Sequence, residues 1–556
     1  MKYQLRSYTN SASFIEDVLR SRGITEIEKY LHPSEELDPL LLDNMPQGAE
    51  LLHTHILNNS PMAIVVDDDA DGLLSSSLFF LFLKEAHPNY SNCSLIFHKA
   101  KFHGIETEKV LTNECKLLVV PDAGTNDITQ QTELVQQGID ILILDHHQVI
   151  DGISLNGLPG VIVINNQVSN YPNKELCGTG VVYKFIEYYN KVYHCNVDVG
   201  KFLDLVSIAL IGDVMGLNTL ENRMYVDKGL RNLSNGFLKN LVRNTGTIIT
   251  PTDISFTVIP PLNAVVRMGS IKDKQTIFSA IVEGVPSLIE EALRLCNNLA
   301  AKQRKERTRI VEMLRQRIEE EGGANNNQLI IGKYYEEDNV NDNLAGLTAM
   351  ELATYYNRPA LVLKYNKEKC RWEGSARNFG TLTSDLKSFL LDSQLVEYAV
   401  GHANAFGVGI PEKNLQLLID YANTCTENSL ETCWLVDWIG TSTNINQLPS
   451  IIAEIDRYKY LWGTKIEEPL LCIRNIMLTR SDIFIMGKDG SSVKFIKNNV
   501  TYVKFKDLNF IKAITQSPSI LLTVIGKANI NEWEGRTTSQ IIIEDYELQL
   551  IKEEEF

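Results

Sequence analysis

The chain has 556 residues, 44% of them apolar, a net charge of −17 and nine cysteines. That size predicts several domains with real cores; no window has the unbroken apolar length of a membrane span, and the opening MKYQLRSYTN lacks a signal peptide's apolar centre. The cysteines form no CxxC pair, which excludes a zinc ribbon or a disulfide framework and suits the reduced thiols of a cytoplasm.

Short apolar runs alternate with helical stretches through the first part of the chain. MAIVV (Met62 to Val66) ends in DDDADG (Asp67 to Gly72), and strand alternation puts Asp67 and Asp69 on one side and Asp68 on the other. A helical stretch from Leu73 to Glu85 follows. LLVV (Leu117 to Val120) then delivers Asp122, a second helical stretch spans Asp127 to Gln137, and ILIL (Ile141 to Leu144) delivers Asp145, His146 and His147. The pattern is βαβ, a parallel sheet with acidic and imidazole groups at the carboxyl ends of its strands. FLDLVSIALIGD (Phe202 to Asp213) is instead a buried helical run that presents Asp213 at its end.

A single aspartate after a strand is ordinarily a turn or N-cap residue, and Asp122 alone reads that way. Three adjacent carboxylates repel one another unless a cation neutralises them. Four such clusters at the ends of four apolar runs point to a pocket for two divalent cations held by carboxylate and imidazole.

Downstream, Leu288, Ala292, Leu295 and Leu299 repeat at helical spacing in a predicted helix from Ser287 to Glu321. Its basic run KQRKERTR (Lys302 to Arg309) fits a DNA contact and a solvated linker face equally well. The segment from Asn414 to Trp462 is helical in tendency. From Glu467 short β-like runs separated by polar turns predict a small barrel. The acidic balance does not exclude a nucleic acid, because bound cations and a local basic groove can offset it.

These clusters resemble the DHH phosphoesterase superfamily and, within it, the RecJ family of single-strand-specific exonucleases. The resemblance runs through VLRSRGITEIEKYLHPSEELDPLLLDNM (Val18 to Met45), ELCGTGVVYKFI (Glu175 to Ile186), ENR (Glu221 to Arg223), IPPLNAVVRMG (Ile259 to Gly269), GSARN (Gly374 to Asn378), VGHANAFG (Val400 to Gly407) and NEWEGRTTSQIIIEDYE (Asn531 to Glu547), nearly the whole chain. It implies an α/β protein: a parallel-sheet DHH domain and an α/β DHH-associated domain joined by a long helix, with a C-terminal β-barrel of OB type. The implied boundaries are 1–45 for an N-terminal helical segment, 46–240 for the DHH domain, 241–285 for a helical connector and 286–323 for the linker helix. The DHH-associated domain would take 324–425, an interdomain helical segment 426–466 and the OB-fold 467–556.

Carried over position by position, the resemblance makes Asp67, Asp69, Asp122, His146 and Asp213 metal ligands, with Asp122 and Asp213 shared between two ions. His147 would contact the scissile phosphate, Asp145 would orient an imidazole, and Arg267, Ser375, Arg377 and His402 would bind phosphate; a domain-interface ion pair is the other reading of Arg267. Manganese is the implied metal, with magnesium as the alternative. Trp533, Tyr502 and Phe505 are candidate stacking platforms in the OB-fold, each also readable as core. The implied activity is 5′-to-3′ hydrolysis of single-stranded DNA to 5′ mononucleotides in repair or recombination, with a helicase or single-strand-binding protein as further partner and no membrane. Two other readings stand beside it: an oligoribonuclease or cyclic-dinucleotide phosphodiesterase, and an inactive scaffold that binds single strands. Departures from the family pattern are Asp68 where tyrosine is usual, Val266 for a glycine, and Val400 and Phe406 for smaller residues. Asp68 is expected to add negative charge beside the site, and the last two to narrow the nucleotide channel.

Overall fold

The computed structural model describes the chain apart from residues 7–12, 100–101, 151–156, 243–247, 324–326, 381, 426–432, 488–489, 516–517, 534 and 551–556. After a short strand β1 (Lys2–Leu5), the first large sheet comprises β2 (Met62–Val66), β3 (Cys93–Phe97), β4 (Leu117–Pro121), β5 (Asp140–Asp145) and β6 (Val161–Asn165). Its order is β3-β2-β4-β5-β6, and every pairing is parallel. Helices cover both faces, which is why the runs are apolar without alternation. Alternation sorts their side chains between two cores: Ile64, Val66, Val119 and Leu142 enter one, and Ala63, Val65, Val120 and Ile143 the other. The chain runs outward from β2 to β3 and returns on the far side of β2 as β4. The carboxyl ends of β2 and β4 therefore flank the crevice where such sheets bind ligands.

The helix Pro286–Glu320 has 35 residues, about 50 Å at 1.5 Å per residue. Ala292, Cys296 and Leu299 pack in the first domain, whereas Ile310, Leu314 and Ile318 pack in the second. In its basic run Arg307 pairs with Glu351 at 2.8 Å and Arg309 with Glu306 at 2.7 Å, so part of that charge is taken up locally. The second domain contains β7 (Ile330–Tyr334), β8 (Ala360–Asn366), β9 (Arg371–Arg377), β10 (Tyr398–His402) and β11 (Ala405–Pro411), in the order β10-β11-β9-β8-β7. Only β7 and β8 run parallel.

The remainder holds β12 (Cys433–Val436), β13 (Trp438–Gly440), β14 (Leu470–Thr479), β15 (Ile483–Met486), β16 (Ser492–Lys497), β17 (Val500–Lys504), β18 (Ser519–Trp533) and β19 (Arg536–Leu550). Seven of these form one mixed sheet, β13-β14-β18-β19-β17-β16-β15. The stretch expected to be a helical segment, 426–466, is helical at Leu448–Arg457 but also carries two strands: β13 extends this sheet and β12 pairs in parallel with β1. Pairing with distant strands overrides local tendency there. The N-terminal segment belongs to this last domain as well. Ile15, Val18, Leu19 and Tyr30 share its core with Leu448, Ile452 and Leu522, and the Arg22 guanidinium forks onto the buried Asp437 carboxylate. No helix among the described residues is long and apolar enough to cross a membrane.

Candidate metal centre

The crevice gathers its carboxylates by backbone geometry. Asp67 leaves β2 with both oxygens engaged: Oδ1 accepts the Gly104 amide at 2.9 Å and Oδ2 lies 2.7 Å from His103 Nδ1. Asp69 caps the helix Ala70–Ala86, accepting the Gly72 amide at 2.8 Å. Asp122 sits just past β4 with φ +64°, a left-handed conformation that aspartate tolerates. The helix Gly178–Val192 begins directly against it. A Cβ on Gly178 would lie 2.3 Å from Asp122 Oδ1, so only glycine admits this approach. Asp213 ends the helix Leu203–Gly212.

His146 brings these groups together. Its Nε2 lies 3.3 Å from Asp122 Oδ1, 3.4 Å from Asp213 Oδ2 and 3.8 Å from Asp71 Oδ2. Asp145 holds the paired histidines: its Oδ1 accepts the amides of His146 and His147 and faces His147 Nδ1 at 2.8 Å, while its Oδ2 accepts the Thr125 amide at 3.0 Å. Burial alone would raise the Asp145 carboxyl, but the His147 hydrogen bond and the neighbouring imidazoles hold it well below the usual carboxylate range.

Three carboxylates of the site, Asp69, Asp122 and Asp213, move the opposite way. Burial, then Asp67 and Asp71, push Asp69 up to about 6. Burial, then Asp71 and Asp69, push Asp213 up to about 9. Burial and four neighbouring aspartates raise Asp122 well above the usual carboxylate range. Burial is the largest influence on His146 and lowers its pKa, against the opposing pull of Asp71. Among the described residues, both oxygens of Asp122, His146 Nε2 and Asp213 Oδ2 are buried without a hydrogen-bond partner. Unpaired buried acceptors of this kind are costly, and a divalent cation satisfies them. Three groups have donor atoms mutually within 4.8 Å: Asp67, Asp69 and Asp122; Asp71, His146 and Asp213; and Asp122, His146 and His147. Oxygen donors with imidazole fit manganese or magnesium.

Two residues of the site were missed in the sequence. Asp71 lies within DDDADG and is cradled by the amides of Gly178 and Thr179 at 2.7 and 2.9 Å, a helix N-terminus holding a carboxylate. The Asp-rich motif itself was its signal. His103 stands alone in FHG and had none. Asp68 points away from the crevice, as alternation requires, and its charge is met by the buried Lys274 ammonium on the helix Ile271–Glu283. It therefore adds no free charge to the site.

The second domain offers a basic wall by strand register. His402, Ala405 and Arg377 are aligned across β10, β11 and β9, and Val400, Gly407 and Ser375 form the next row on the same face. Arg267, on the helix Ile259–Met268, is close enough to Arg377 and Asp69 for both to act on its charge; burial is the larger influence and lowers its pKa. Among the described residues its guanidinium has no carboxylate partner, whereas Arg377 Nη1 donates to its own strand at Ala376. Val400 is 66% exposed beside this row, but Phe406 is buried in the opposite core and does not narrow a channel. In the last domain Tyr502 is core, stacked on Phe495 with ring centroids 4.9 Å apart, and not a platform. Phe505 is 54% exposed. The side chain of Trp533 lies outside the described residues.

A model of the DHH family N-terminal domain matches residues 61–210, and one of the RecJ OB domain matches 445–545. A provisionally named single-strand DNA-specific exonuclease of the SPbeta prophage in Bacillus subtilis is 32% identical over 96% of each chain. The chain belongs to the RecJ family. Bacillus subtilis RecJ itself is 24% identical over 96% of this chain and 67% of its own length. The fold is that of the Thermus thermophilus RecJ structure in complex with manganese, with a TM-score of 0.76 at 17% identity, covering 98% of this chain and 79% of that one. The corresponding magnesium complex gives 0.68.

Proposed function

We propose that this RecJ-family protein is a two-metal exonuclease that removes 5′ mononucleotides from single-stranded DNA, working 5′ to 3′. The observation that carries the reading is the set of buried, partnerless donor atoms on Asp122, His146 and Asp213, in a site whose Asp69 acts on the charge of Arg267 together with Arg377 of the second domain. When bound at Asp67, Asp69, Asp122, His146 and Asp213, with Asp122 common to two donor groups, the cations supply Lewis acidity and a water nucleophile. Arg267 and Arg377 bind phosphate oxygens, and Ser375 and His402 add donors along the same face. Asp145 accepts from His147 Nδ1 and favours the imidazolium form, whose opposite ring nitrogen then donates to the phosphoryl group as charge develops. A helicase or a single-strand-binding protein would supply the strand during repair or recombination.

The test is manganese-dependent digestion of a 3′-labelled DNA single strand beside a duplex, an RNA of the same sequence and a cyclic dinucleotide. Stepwise shortening of the single strand from its 5′ side, with the others spared, is the expected result. Consumption of only RNA or cyclic dinucleotide would overturn the substrate, and inertness with tight strand binding would make the protein a scaffold.

A further inference from the structure

The loop after β3 is fastened by backbone donors, two to the acidic motif and one to Asp127. The Phe102 amide reaches Asp68 Oδ2 at 3.2 Å, the Gly104 amide reaches Asp67 Oδ1 at 2.9 Å, and the Ile105 amide reaches Asp127 Oδ2 at 2.8 Å. Lys274 ties the start of the same loop, donating to the His98 carbonyl at 2.9 Å while it pairs with Asp68. Gly104 has φ +92°, and a Cβ there would lie 2.1 Å from Asp127 Oδ2, so only glycine fits the backbone beside His103. The imidazole this loop presents is half-exposed and meets Asp67 Oδ2 at 2.7 Å; its ring centroid is 4.5 Å from that of His147. An ionised carboxylate only accepts, so Nδ1 carries the proton in this contact.

We propose that His103 is a positioning residue of the metal centre: with the Gly104 amide it fixes both oxygens of Asp67, so that the carboxylate is oriented before a cation arrives. His103 joins none of the three groups of donor atoms close enough to share an ion, which separates it from the ligands themselves. Asp67 does belong to one of those groups, with Asp69 and Asp122. Holding a ligand from behind removes the rotational freedom that binding would otherwise have to quench. The inference rests on the metal-centre reading above.

Manganese binding to the full chain, followed by calorimetry and by the paramagnetic resonance signal of free Mn2+, tests it without reference to turnover. Asparagine places its amide nitrogen near the position of Nδ1, and glutamine near that of Nε2. His103→Ala and His103→Gln should bind one of the ions about 10- to 100-fold more weakly, the usual scale for a residue behind a ligand, and His103→Asn should restore most of the affinity. Removing His103 leaves Asp67 Oδ2 without its partner, so His103→Ala and His103→Gln are expected to melt somewhat lower than the wild type without metal, and the affinities are compared at a temperature where every variant is folded. Wild-type affinity in His103→Ala, or rescue by glutamine in place of asparagine, would overturn the role of His103. Failure of the wild-type protein to bind manganese would overturn the metal centre itself.

Discussion

The crevice of the parallel sheet and the facing sheet of the second domain assemble their polar groups by opposite rules. In the crevice, carboxylates and an imidazole are buried without partners of their own, an arrangement that costs stability until a cation is present. Along the second sheet, Ser375, Arg377 and His402 share one face because strand register puts them there, half-buried or exposed. The first region gives up stability for chemistry, and the second is expected not to.

Three substitutions test that contrast. Asp122→Asn should reduce hydrolysis by on the order of 10⁴-fold or more, the scale of losing one member of a catalytic unit, while raising the melting temperature of the metal-free protein at neutral pH, because asparagine does not bear the ionisation penalty that burial and the neighbouring aspartates impose on Asp122. A lower metal-free melting temperature would remove the strain from the account. Lys274→Met leaves Asp68 buried and unpaired, and should destabilise the fold by about 3–5 kcal/mol in denaturant titration; a loss within error would mean that water already serves Asp68. Arg377→Lys removes the planar fork and should raise KM for single strands about 10- to 100-fold, the equivalent of about 1.5–3 kcal/mol for hydrogen bonds to a charged group. Its melting temperature should not move. A fall in stability would show that the basic wall, too, is structural.

What the sequence disclosed follows the same division. Strand runs ending in acids were visible because burial on both faces makes them continuous, and the long helix was visible through its apolar repeat; both appear within a residue or two of where they were expected. Asp71 was hidden because a carboxylate cradled by a helix N-terminus has the same local sequence as a solvated one. His103 was hidden because its partner is 36 positions away and the loop that brings them together has no periodicity. Tyr502 and Phe406 looked like possible contacts for a strand, yet an aromatic in a β run faces core or solvent according to a parity that pairing alone sets. The strands β12 and β13 are short runs of Trp, Leu, Val and Ile inside a longer stretch of helical tendency, too short to stand out there, and their partners, one of them near the start of the sequence, fix them as strands.

That last pairing has a consequence for synthesis. Arg22 and Asp437 are 415 residues apart, so at about 5–20 residues per second the N-terminal segment emerges from the ribosome roughly 20–80 s before its partner exists. During that interval Ile15, Val18 and Leu19 have no core to enter. This segment, made long before its partner, is thus among the last to fold, and a nascent chain halted before Cys433 carries exposed apolar residues with nothing to close on.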